Sequence, residues 1–531
     1  MDNIRLLDCT LRDGGHVNNS IFGFDVIKSI IEDLVNARMD IIEVGFLCDE
    51  PTSKDVSKFS SITELKQYLP DNMGISKLAV MADNVSVSEL EPYDGTVEYI
   101  RLSFRKNEFA WAEKSARILK DKGYKVFINP IHGSSITDKE YLQIIDRVNR
   151  IEPYGFSIVD TFGAMRKKDL GRLYFLVENN LNKEISIGIH LHENLGIAYT
   201  LAQYILEIAI PTRNIVIDGS LYGMGKVPGN LCIEQMLDHM NDQYGMNYYT
   251  EPVYDAIDEF IVPIKERVTW GYSIQYALSG QCAVHRTYAE YLGNKHRLRT
   301  KDIRRLLNMI DEEHKEVFDN IYIEELYSEY INVEYDDQND ISQIKEVLKQ
   351  YSAVLILAPG ASINQFKIDK IARNEVCIIS VNFIDIRFDA DFYFFTNAKR
   401  LAYVHNIDST KLIVTSNLKD DSKKAHYVLS RNELSYNSDI YCDDSVIMLL
   451  SLLKRIGMHS IYVAGFDGYR EGKNNFYIEQ FERKLSEDEK DKNVRGRVLK
   501  ELSGDFDITF LTPSLYESFC NNSTGHMTDL V

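Results

Sequence analysis

Two histidines separated by a single residue, His190 and His192, carry the strongest indication of chemistry in this sequence. They lie in a short apolar run typical of a strand, where side chains two residues apart point to the same side and can bind one ion. A carboxylate, Asp13, follows another apolar run near the start of the chain. Two imidazole nitrogens and one carboxylate oxygen favour a divalent metal with coordination positions left for a substrate. The alternative is a pair of strand-end histidines that are hydrogen-bonded in the core.

Eight short, β-branched apolar runs, separated by longer helical patterns, would have to position these residues. Such a pattern indicates parallel strands, because parallel neighbours are joined by helical crossovers rather than by tight turns. Eight such units predict an α/β fold that begins with a closed (β/α)8 TIM barrel. The predicted strands span residues 4–10, 41–46, 75–81, 99–104, 126–131, 156–161, 185–192 and 215–221.

Polar clusters follow four of the predicted strands, at the end of the barrel where the active sites of this fold lie. They read Asp8-Cys-Thr-Leu-Arg12-Asp13-Gly-Gly-His16, Asp160-Thr161-Phe-Gly163, His190-Leu-His192-Glu-Asn194 and Asp218-Gly-Ser-Leu-Tyr-Gly223-Met-Gly225. The sequence therefore places its polar side chains where a barrel enzyme needs them.

Together with Gly229-Asn230, these clusters resemble the metallolyases whose first strand ends in Asp-x-Thr-Leu-Arg-Asp-Gly. That superfamily includes hydroxymethylglutaryl-CoA lyase, isopropylmalate synthase and the 4-hydroxy-2-oxovalerate aldolases, and the resemblance covers about residues 4–290. It implies that Asp13, His190 and His192 bind Mn²⁺ or Mg²⁺. It also makes Asn230 a further candidate ligand.

The implied metal indicates enolate chemistry. A 2-oxo acid that chelates the metal through its carboxylate and keto oxygens has a polarised carbonyl, so the enolate formed on C–C cleavage is stabilised. Arg12, next to the metal ligand, can hold the enolate oxygen with a charged donor. The alternative for Arg12 is a structural salt bridge.

His16 separates the branches of the superfamily. The synthases and the CoA lyase resemble one another in having Gln or Asn three places after the metal Asp, whereas the pyruvate-forming aldolases have His, as this chain does. A histidine can take the proton from a 4-hydroxyl at neutral pH. This favours an aldolase, and an exposed loop histidine is the alternative.

Four further site residues follow from the same resemblance. Thr161 stands where the aldolases have Ser in Asp-Ser-x-Gly, so Asp160 and Thr161 are candidates for binding the substrate carboxylate. Tyr272 and Tyr276 lie in a Gly-Tyr-x-x-x-Tyr stretch similar to one that closes over the substrate in the aldolases. Both are therefore catalytic candidates, with a place in the core as the alternative.

The chain of 531 residues is too long for one ordinary core. We expect the barrel at residues 1–290, a helical extension and acidic linker at 291–340, and a Rossmann-like domain at 341–531 with a long helix at 445–456. The strands predicted for this second domain span residues 354–360, 376–381, 392–396, 412–415, 461–465 and 508–511.

The glycine turn after the first strand of the second domain resembles that of bacterial sialyltransferases and a related domain family. A glycine at a strand-to-helix turn lets backbone amides approach a phosphate. The resemblance implies a nucleotide-sugar site with Gly360, Ser362, Asn382 and Asp467 as candidate nucleotide-binding residues. No histidine could be assigned the role of the sialyltransferase general base, and a plain strand connection is the alternative.

Composition limits the partners. The formal net charge of −20 argues against a protein that coats nucleic acid or an anionic membrane, but it leaves room for a local basic pocket. No apolar run is long enough to span a bilayer, and the N-terminus lacks an apolar signal core, so we expect a cytoplasmic protein. Seven cysteines without a CxxC pair are typical of reduced thiols.

The leading hypothesis is a divalent-metal-dependent aldolase that forms or cleaves a 4-hydroxy-2-oxo acid through a pyruvate enolate, in surface-polysaccharide sugar metabolism. Acetaldehyde is not the expected partner, because residues 340–531 differ from the small helical domain of the aldolases that channel acetaldehyde. The resemblance also implies a homo-oligomer. Two alternatives are a Claisen synthase or lyase acting on an acyl-CoA, and an inert barrel that serves the second domain as a binding module.

Overall fold

The computed structural model describes residues 3–131, 136–226, 228–295, 297–404, 407–421, 425–437, 441–470, 475–478 and 492–520. The chain divides into two compact units, one made of Met1–Ala289 and Asp311–Phe318, the other of Glu290–Ile310 and Asp319–Val531. The extension and linker expected at 291–340 is therefore not a separate region, because its residues are shared between the two units.

The first unit is built on parallel strands that close into a barrel. The strands are β1 (Ile4–Asp8), β2 (Ile41–Leu47), β3 (Lys58–Phe59), β4 (Lys77–Asp83), β5 (Val97–Phe104), β6 (Lys125–Pro130), β7 (Gly155–Val159), β8 (Ser186–His190) and β9 (Ile215–Gly219). They pair in the order β1-β9-β8-β7-β6-β5-β4-β2, and β1 also pairs with β2, which closes the ring of eight. The short β3 pairs only with β2. The predicted eight-stranded barrel is confirmed.

Helices connect the strands of this unit. They are α1 (Gly15–Asn18), α2 (Phe24–Asn36), α3 (Ile62–Leu65), α4 (Phe109–Asp121), α5 (Asp138–Ile151), α6 (Lys167–Asn180), α7 (Ala198–Ile208), α8 (Ile233–Tyr244), α9 (Glu251–Ala256), α10 (Val262–Lys265) and α11 (Ile274–Cys282). In α5, Thr137 and Glu140 form a reciprocal capping box, which satisfies backbone donors at the start of the helix. Its buried side chains recur at helical spacing and form one apolar face, with Tyr141, Ile144, Ile145, Val148 and Ile151.

The inner face of the barrel changes character along its strands. A small apolar cluster includes Ile41, Tyr99 and Val216, on β2, β5 and β9. Two residues further along each of these strands, the same face carries a buried charged side chain, because strand residues alternate between faces with a period of two. These side chains are Glu43, Arg101 and Asp218. The carboxyl-terminal end of the barrel is thus charged inside.

The second unit is a parallel α/β sheet of Rossmann-like type. Its sheet strands are β10 (Ala353–Leu357), β11 (Val376–Val381), β12 (Phe392–Phe395), β13 (Leu412–Thr415), β14 (Tyr427–Leu429), β17 (Ser460–Ala464) and β18 (Asp507–Phe510), and β15 (Tyr436–Asn437) and β16 (Tyr441–Cys442) form an antiparallel pair. The sheet order is β14-β13-β12-β11-β10-β17-β18. The strand order therefore reverses between β10 and β17, which is where open α/β sheets bind ligands.

The helices of the second half of the chain include the one predicted at 445–456. They are α12 (Arg286–Asn294), α13 (Thr300–Met309), α14 (Asn320–Ile331), α15 (Gln338–Leu348), α16 (Ala398–Leu401), α17 (Arg431–Leu434), α18 (Ser445–Ile456) and α19 (Lys492–Leu502). The α18 prediction is confirmed to the residue, because Asp444 caps its first amides and Gly457 ends it with a positive φ of 86°.

The acidic stretch before α15 is a part of the second unit rather than a linker. The Asp337 carboxylate is buried and accepts hydrogen bonds from the Ser430 amide at 2.9 Å and from the Arg455 guanidinium. The Asp340 carboxylate accepts the Val428 amide at 3.1 Å. The negative charges that resembled a solvated linker thus bond to the edge of the sheet and to a neighbouring helix.

Two composition-based expectations can be compared with the structure. All seven cysteines are free thiols, as the sequence indicated. Among the helices that the structure describes, none combines the length and the apolarity needed to cross a bilayer. The cytoplasmic location stays a prediction.

Candidate metal centre and active site

Three strand ends bring the predicted metal ligands together. After β1, the amides of Arg12 and Asp13 donate to the Cys9 carbonyl, and the resulting helical turn places Asp13 over the end of the barrel. His190 is the last residue of β8. His192 lies beyond the strand that was predicted to contain it, in an isolated antiparallel bridge with Asn230. One ligand atom from each of Asp13, His190 and His192 lies within 4.8 Å of the other two, and all three residues are buried.

The two histidines are fixed in the tautomer that a metal requires. His192 Nδ1 lies 2.8 Å from the Asp160 carbonyl oxygen, which can only accept, so Nδ1 carries the proton and Nε2 keeps its lone pair. His192 Nε2 is buried and lies 3.9 Å from Asp13 Oδ2, without a hydrogen-bond partner among the described residues. His190 Nδ1 lies 3.0 Å from Asp218 Oδ2, a carboxylate oxygen that accepts, so Nδ1 carries the proton and Nε2 is left for a metal.

The charges of these groups also fit a divalent cation. Burial and the neighbouring His190 lower the pKa of His192 to about 4, so the ring is neutral near pH 7. Burial opposes ionisation of Asp13, but Arg12 and the histidines outweigh it and hold the pKa of that carboxyl well below its usual range. One carboxylate, two imidazoles and an orphaned buried nitrogen therefore fit the ion that the resemblance implies.

Arg12 is held firmly beside the first ligand. Its Nη1 donates to Asp13 Oδ1 at 2.6 Å and its Nε donates to Glu43 Oε2 at 2.7 Å. All three side chains are buried, so these charge-assisted bonds are little weakened by water. The position of Arg12 at the carboxyl end of β1 agrees with its predicted place near the reacting atoms, and its bonds also provide the salt bridge that was the alternative.

A second arginine continues this network to the other side of the centre. Arg101 Nη1 donates to Glu43 Oε2 at 3.0 Å, and its Nη2 donates to Asp218 Oδ2, the oxygen that also bonds His190. Sequence reasoning missed Glu43 and Arg101 as site residues. The available signal was the one charged residue within each of the mainly apolar predicted strands 41–46 and 99–104.

Asn230 lies next to the centre. Its Nδ2 donates to the Met224 carbonyl at 3.2 Å, while its buried Oδ1 has no partner among the described residues. A Cβ placed on Gly225 would meet both the Asn230 side chain and Asp13 Oδ2, at 2.7 Å from the latter, so glycine is required for the close approach of these loops. The role of Asn230 as a metal ligand stays a prediction.

A cavity of about 300 Å³ opens beside the centre. His192, Thr161 and Asn194 line it, so the predicted substrate-binding hydroxyl faces the same space as a predicted metal ligand. Three cations also line it, Arg105, Lys226 and Arg286, and they were not identified from the sequence.

Asp160 supports this site from behind. Its buried carboxylate accepts the amides of Ala164 at 3.0 Å and of Met165, and burial raises its pKa to about 7. Its side chain is not among the residues that line the cavity within the described part of the chain. Asp160 thus shapes its loop and holds His192 through its carbonyl, and direct binding of substrate stays a prediction.

His16 lies at the first turn of α1 and is exposed. Its ring packs edge-on against Phe46, with centroids 5.6 Å apart. Loss of hydration and the positive charges of Arg12, Lys226 and Arg286 lower the pKa of His16, despite the opposing charge of the nearby carboxylate. The ring is therefore neutral near pH 7, as a proton acceptor must be.

The two tyrosines lie around α11. Tyr272 is 61% exposed and packs over Gly196. The Tyr276 carbonyl accepts from Asn194 Nδ2 at 3.4 Å, which connects α11 to a residue that lines the cavity. Neither tyrosine is among the cavity-lining residues that the structure describes, so their catalytic role stays a prediction.

The second unit has its own cavity of about 210 Å³ at the carboxyl ends of β10 and β17. Gly360, Asn382 and Asp467 line it, but Asp467 accepts both the amide and the hydroxyl of Ser362. Asn382 accepts the Thr396 amide at 2.9 Å and also donates from its Nδ2. A Cβ on Gly360 would collide with the Gly465 carbonyl and with Asp467.

These contacts change the interpretation of the four candidate nucleotide-binding residues. The side chains of Ser362, Asn382 and Asp467 join neighbouring loops of the sheet. Gly360 is needed for the packing of its loop. Ser362 is not among the residues that line the described cavity. A ligand there would meet other groups, which include Tyr469, Phe476, Arg495 and Tyr516.

The known proteins that this chain resembles match the sequence of the first unit. Residues 3–254 match the family described as HMGL-like. The 4-hydroxy-2-oxovalerate aldolase of Roseiflexus castenholzii is 26% identical over 300 residues, which are 51% of this chain and 84% of the relative. That of Pseudoalteromonas translucida is 25% identical over 275 residues, 50% of this chain and 77% of the relative.

Solved structures similar to the chain cover the same half. The N-terminal domain of a putative aldolase from Bacteroides vulgatus is 24% identical, with a TM-score of 0.47, over 55% of this chain and 96% of that domain. An HMG-CoA lyase from Bacillus subtilis is 16% identical, with a TM-score of 0.39, over 51% of this chain and 94% of that one.

The barrel, its buried Asp-His-His group and the matched motifs define a (β/α)8 enzyme whose site suits a divalent metal. Within that class, residues 3–254 of the first unit match the HMGL-like family, and the relatives of this unit are named as aldolases. The match ends within the first unit, so the sialyltransferase-like character of the second unit stays a prediction.

Proposed function

We propose that the first unit is a divalent-metal-dependent aldolase that forms or cleaves a 4-hydroxy-2-oxo acid through a pyruvate enolate. The observation that supports this most directly is the orphaned, proton-free His192 Nε2, which faces Asp13 next to an open cavity. A bound Mn²⁺ or Mg²⁺ supplies a Lewis acid for the keto oxygen of the substrate.

The residues of the chain divide the remaining work. Asp13, His190 and His192 hold the ion. Arg12, whose guanidinium is fixed by two carboxylates, provides a charged donor for the oxygen on which negative charge develops. Thr161 lines the cavity and can donate its hydroxyl to the substrate carboxylate.

Proton transfer at the 4-hydroxyl is assigned to His16. The ring is neutral near pH 7, because its pKa lies below the ordinary value for histidine, so it can accept the proton in the cleavage direction. In the forming direction the same group, once protonated, returns the proton to the new alkoxide. The synthase branch, with Gln or Asn at this position, lacks such a base, which favours the aldolase over the acyl-CoA alternative.

The test is deuterium exchange of the pyruvate methyl protons, followed by NMR with Mn²⁺ and then with excess chelator. Exchange needs only enolate formation and no aldehyde. We expect metal-dependent exchange in the wild type, its loss in His190→Ala, and its retention in His239→Ala, a histidine that bonds Gln203 away from the centre. Absence of exchange in metal-loaded protein would contradict the proposal and direct the search to acyl-CoA substrates.

For the second unit we propose a nucleotide-containing ligand, such as a nucleotide sugar, in the cavity between β10 and β17. The support is its place at the reversal of strand order and its aromatic lining. If both units act on one sugar, the aldolase product would be a sugar acid for a surface polysaccharide. A homo-oligomer and a cytoplasmic location are part of the same proposal.

Saturation-transfer NMR of the full chain with CMP, UDP and ADP tests this second proposal. We expect at least one nucleotide to show transfer that Tyr469→Ala removes and that Tyr254→Ala, an exposed tyrosine of the first unit, retains. Transfer that survives Tyr469→Ala, or none with any nucleotide, would contradict it.

A further inference from the structure

The cavity beside the metal centre has a strong local charge. Arg105, Lys226 and Arg286 all line it, and Glu316 is the one carboxylate among its described lining residues. This excess of positive charge stands out in a chain whose net charge is −20. Cations gathered around one concave space repel each other, so the arrangement is favourable only when an anion occupies the space.

Lys226 is the clearest member of this basic cluster. Its backbone amide donates to Asp13 Oδ2 at 3.1 Å, which fixes the residue next to the predicted metal ligand. Its half-buried ammonium group has no hydrogen bond or ion pair to any residue that the structure describes. A dehydrated ammonium group beside two guanidinium groups requires a negative partner.

The pyruvate carboxylate does not account for this partner. In the proposed function, Thr161 donates to that carboxylate, and a bound metal would act on the keto oxygen. The ligand that fills the rest of the cavity is the aldehyde. A volume of about 300 Å³ is at the small end of ligand pockets, which suits a metabolite of a few carbons with one charged group.

We propose that the aldehyde partner carries an anionic group, a phosphate or a carboxylate, which Arg105, Lys226 and Arg286 bind. In the forming direction, the methyl carbon of pyruvate, as the enolate, bonds to the aldehyde carbon. The aldehyde oxygen takes up one proton, and no oxidant or reductant is needed. The inference rests on the proposed aldolase function and specifies its substrate class.

Arginine and lysine have different tasks in such a site. A guanidinium can bind two oxygens of one carboxylate or phosphate at once, whereas an ammonium acts as a point charge. Arg105 is more exposed and already contacts Glu108 at 3.4 Å, so we expect it to contribute less than Lys226. A neutral aldehyde would leave the Lys226 ammonium group without an anion in the cavity.

The experiment compares matched aldehydes in the full chain with Mn²⁺ and pyruvate. Glyceraldehyde 3-phosphate is compared with glyceraldehyde, and succinic semialdehyde with butyraldehyde, as kcat/KM of aldol formation. We expect an anionic member to exceed its neutral counterpart by about tenfold or more, as one charged hydrogen bond provides. The pair that shows the preference identifies phosphate or carboxylate as the recognised group.

Variants test the residues. Lys226→Met should lower kcat/KM for the preferred anionic aldehyde about tenfold and Arg105→Gln by less, with little change for the neutral counterpart. Lys168→Met, which removes an exposed lysine from α6, is the matched control and should not change either value. Calorimetry of metal-free protein with inorganic phosphate and with succinate gives a second reading, in which Lys226→Met should weaken binding.

The outcomes separate the inference from the function on which it rests. Pyruvate exchange with equal use of charged and neutral aldehydes would overturn the inference and keep the aldolase. Absence of exchange would overturn the aldolase, and anion binding that depends on Lys226 would still support the basic cluster as an anion site. Absence of anion binding and of any charge preference would overturn the inference.

Discussion

The carboxyl end of the barrel and the carboxyl edge of the second sheet both carry polar motifs after their strands, but the motifs are satisfied differently. In the barrel, His192 Nε2 and Asn230 Oδ1 are buried without a partner in the described part of the chain. In the second unit, Ser362 donates to Asp467, and Asn382 forms hydrogen bonds with Thr396 and Ser445. Buried polar atoms without partners cost free energy, so they indicate a ligand, whereas completed hydrogen bonds indicate loop structure.

The largest loss of Mn²⁺ affinity and pyruvate exchange should follow substitution of Asp13, the carboxylate among the predicted metal ligands. Asp13→Asn removes the negative charge that binds the cation, so Mn²⁺ affinity should fall by more than the about 10–100-fold typical for loss of an outer partner. Pyruvate exchange should vanish. Calorimetry with Mn²⁺ and NMR measure the two effects.

The control is Asp94→Asn, an exposed carboxylate whose partner is Lys66. It should bind Mn²⁺ as the wild type does. Turnover by Asp13→Asn in metal-free buffer would show that the ligand set is wrong and would end the contrast between the two regions.

The second prediction concerns Asp218, whose carboxylate accepts a hydrogen bond from His190. Asp218→Asn keeps the shape but removes the charge shared by His190 and Arg101. We expect Mn²⁺ affinity to fall about 10–100-fold. Unchanged affinity would mean that the network is structural only.

The third prediction concerns charge pairs of the second unit, which should affect stability rather than exchange. Burial opposes ionisation of Asp443, but Arg297 and Arg431 outweigh it and lower its pKa to about 2. Because the pKa is depressed on folding, the stabilisation is complete above the unfolded value near 4 and is lost as pH falls through about 2.

Urea unfolding of the full chain between pH 7 and pH 2 measures this effect. Asp443→Asn should lower stability by about 2–3 kcal/mol at pH 7 and flatten the acid limb of the curve, while pyruvate exchange is retained. A loss that persists unchanged at pH 2 would argue against the charge as its cause.

The smallest effect should come from a predicted nucleotide-binding residue. Ser362→Ala removes a hydroxyl that bonds Asp467 and Thr512, so stability should fall by about 1 kcal/mol. Nucleotide affinity should stay the same, which saturation-transfer NMR checks. A large loss of affinity with normal stability would restore Ser362 as a ligand-binding residue.

Much of the barrel could be predicted because its signals are local. Each apolar run predicts a strand, and the spacing of His190 and His192 predicts that their side chains lie on the same side of it. Glu43 and Arg101 were missed because their partners lie tens of residues away in sequence, so only closure of the barrel brings them together. The basic cluster was missed for the same reason, since Arg105 and Arg286 are far apart in sequence.

The second unit shows that a local motif can be too short to distinguish between two roles. Six of the seven sheet strands that the structure describes, and also α18, gave local signals and were predicted, whereas β14 was not. The glycine turn at Gly360 was interpreted through a resemblance. The structure shows that this glycine avoids a collision with the loop after β17. Packing alone can require a glycine at this turn, and the sequence does not distinguish that requirement from phosphate binding.

The two histidines that are predicted to bind the metal are held by different kinds of hydrogen-bond acceptor. His190 depends on the side chain of Asp218, which a single codon change can remove. His192 depends on the carbonyl of residue 160, and every amino acid has that group. A substitution at residue 218 can therefore remove the acceptor that holds His190. A substitution at residue 160 keeps the carbonyl that holds His192.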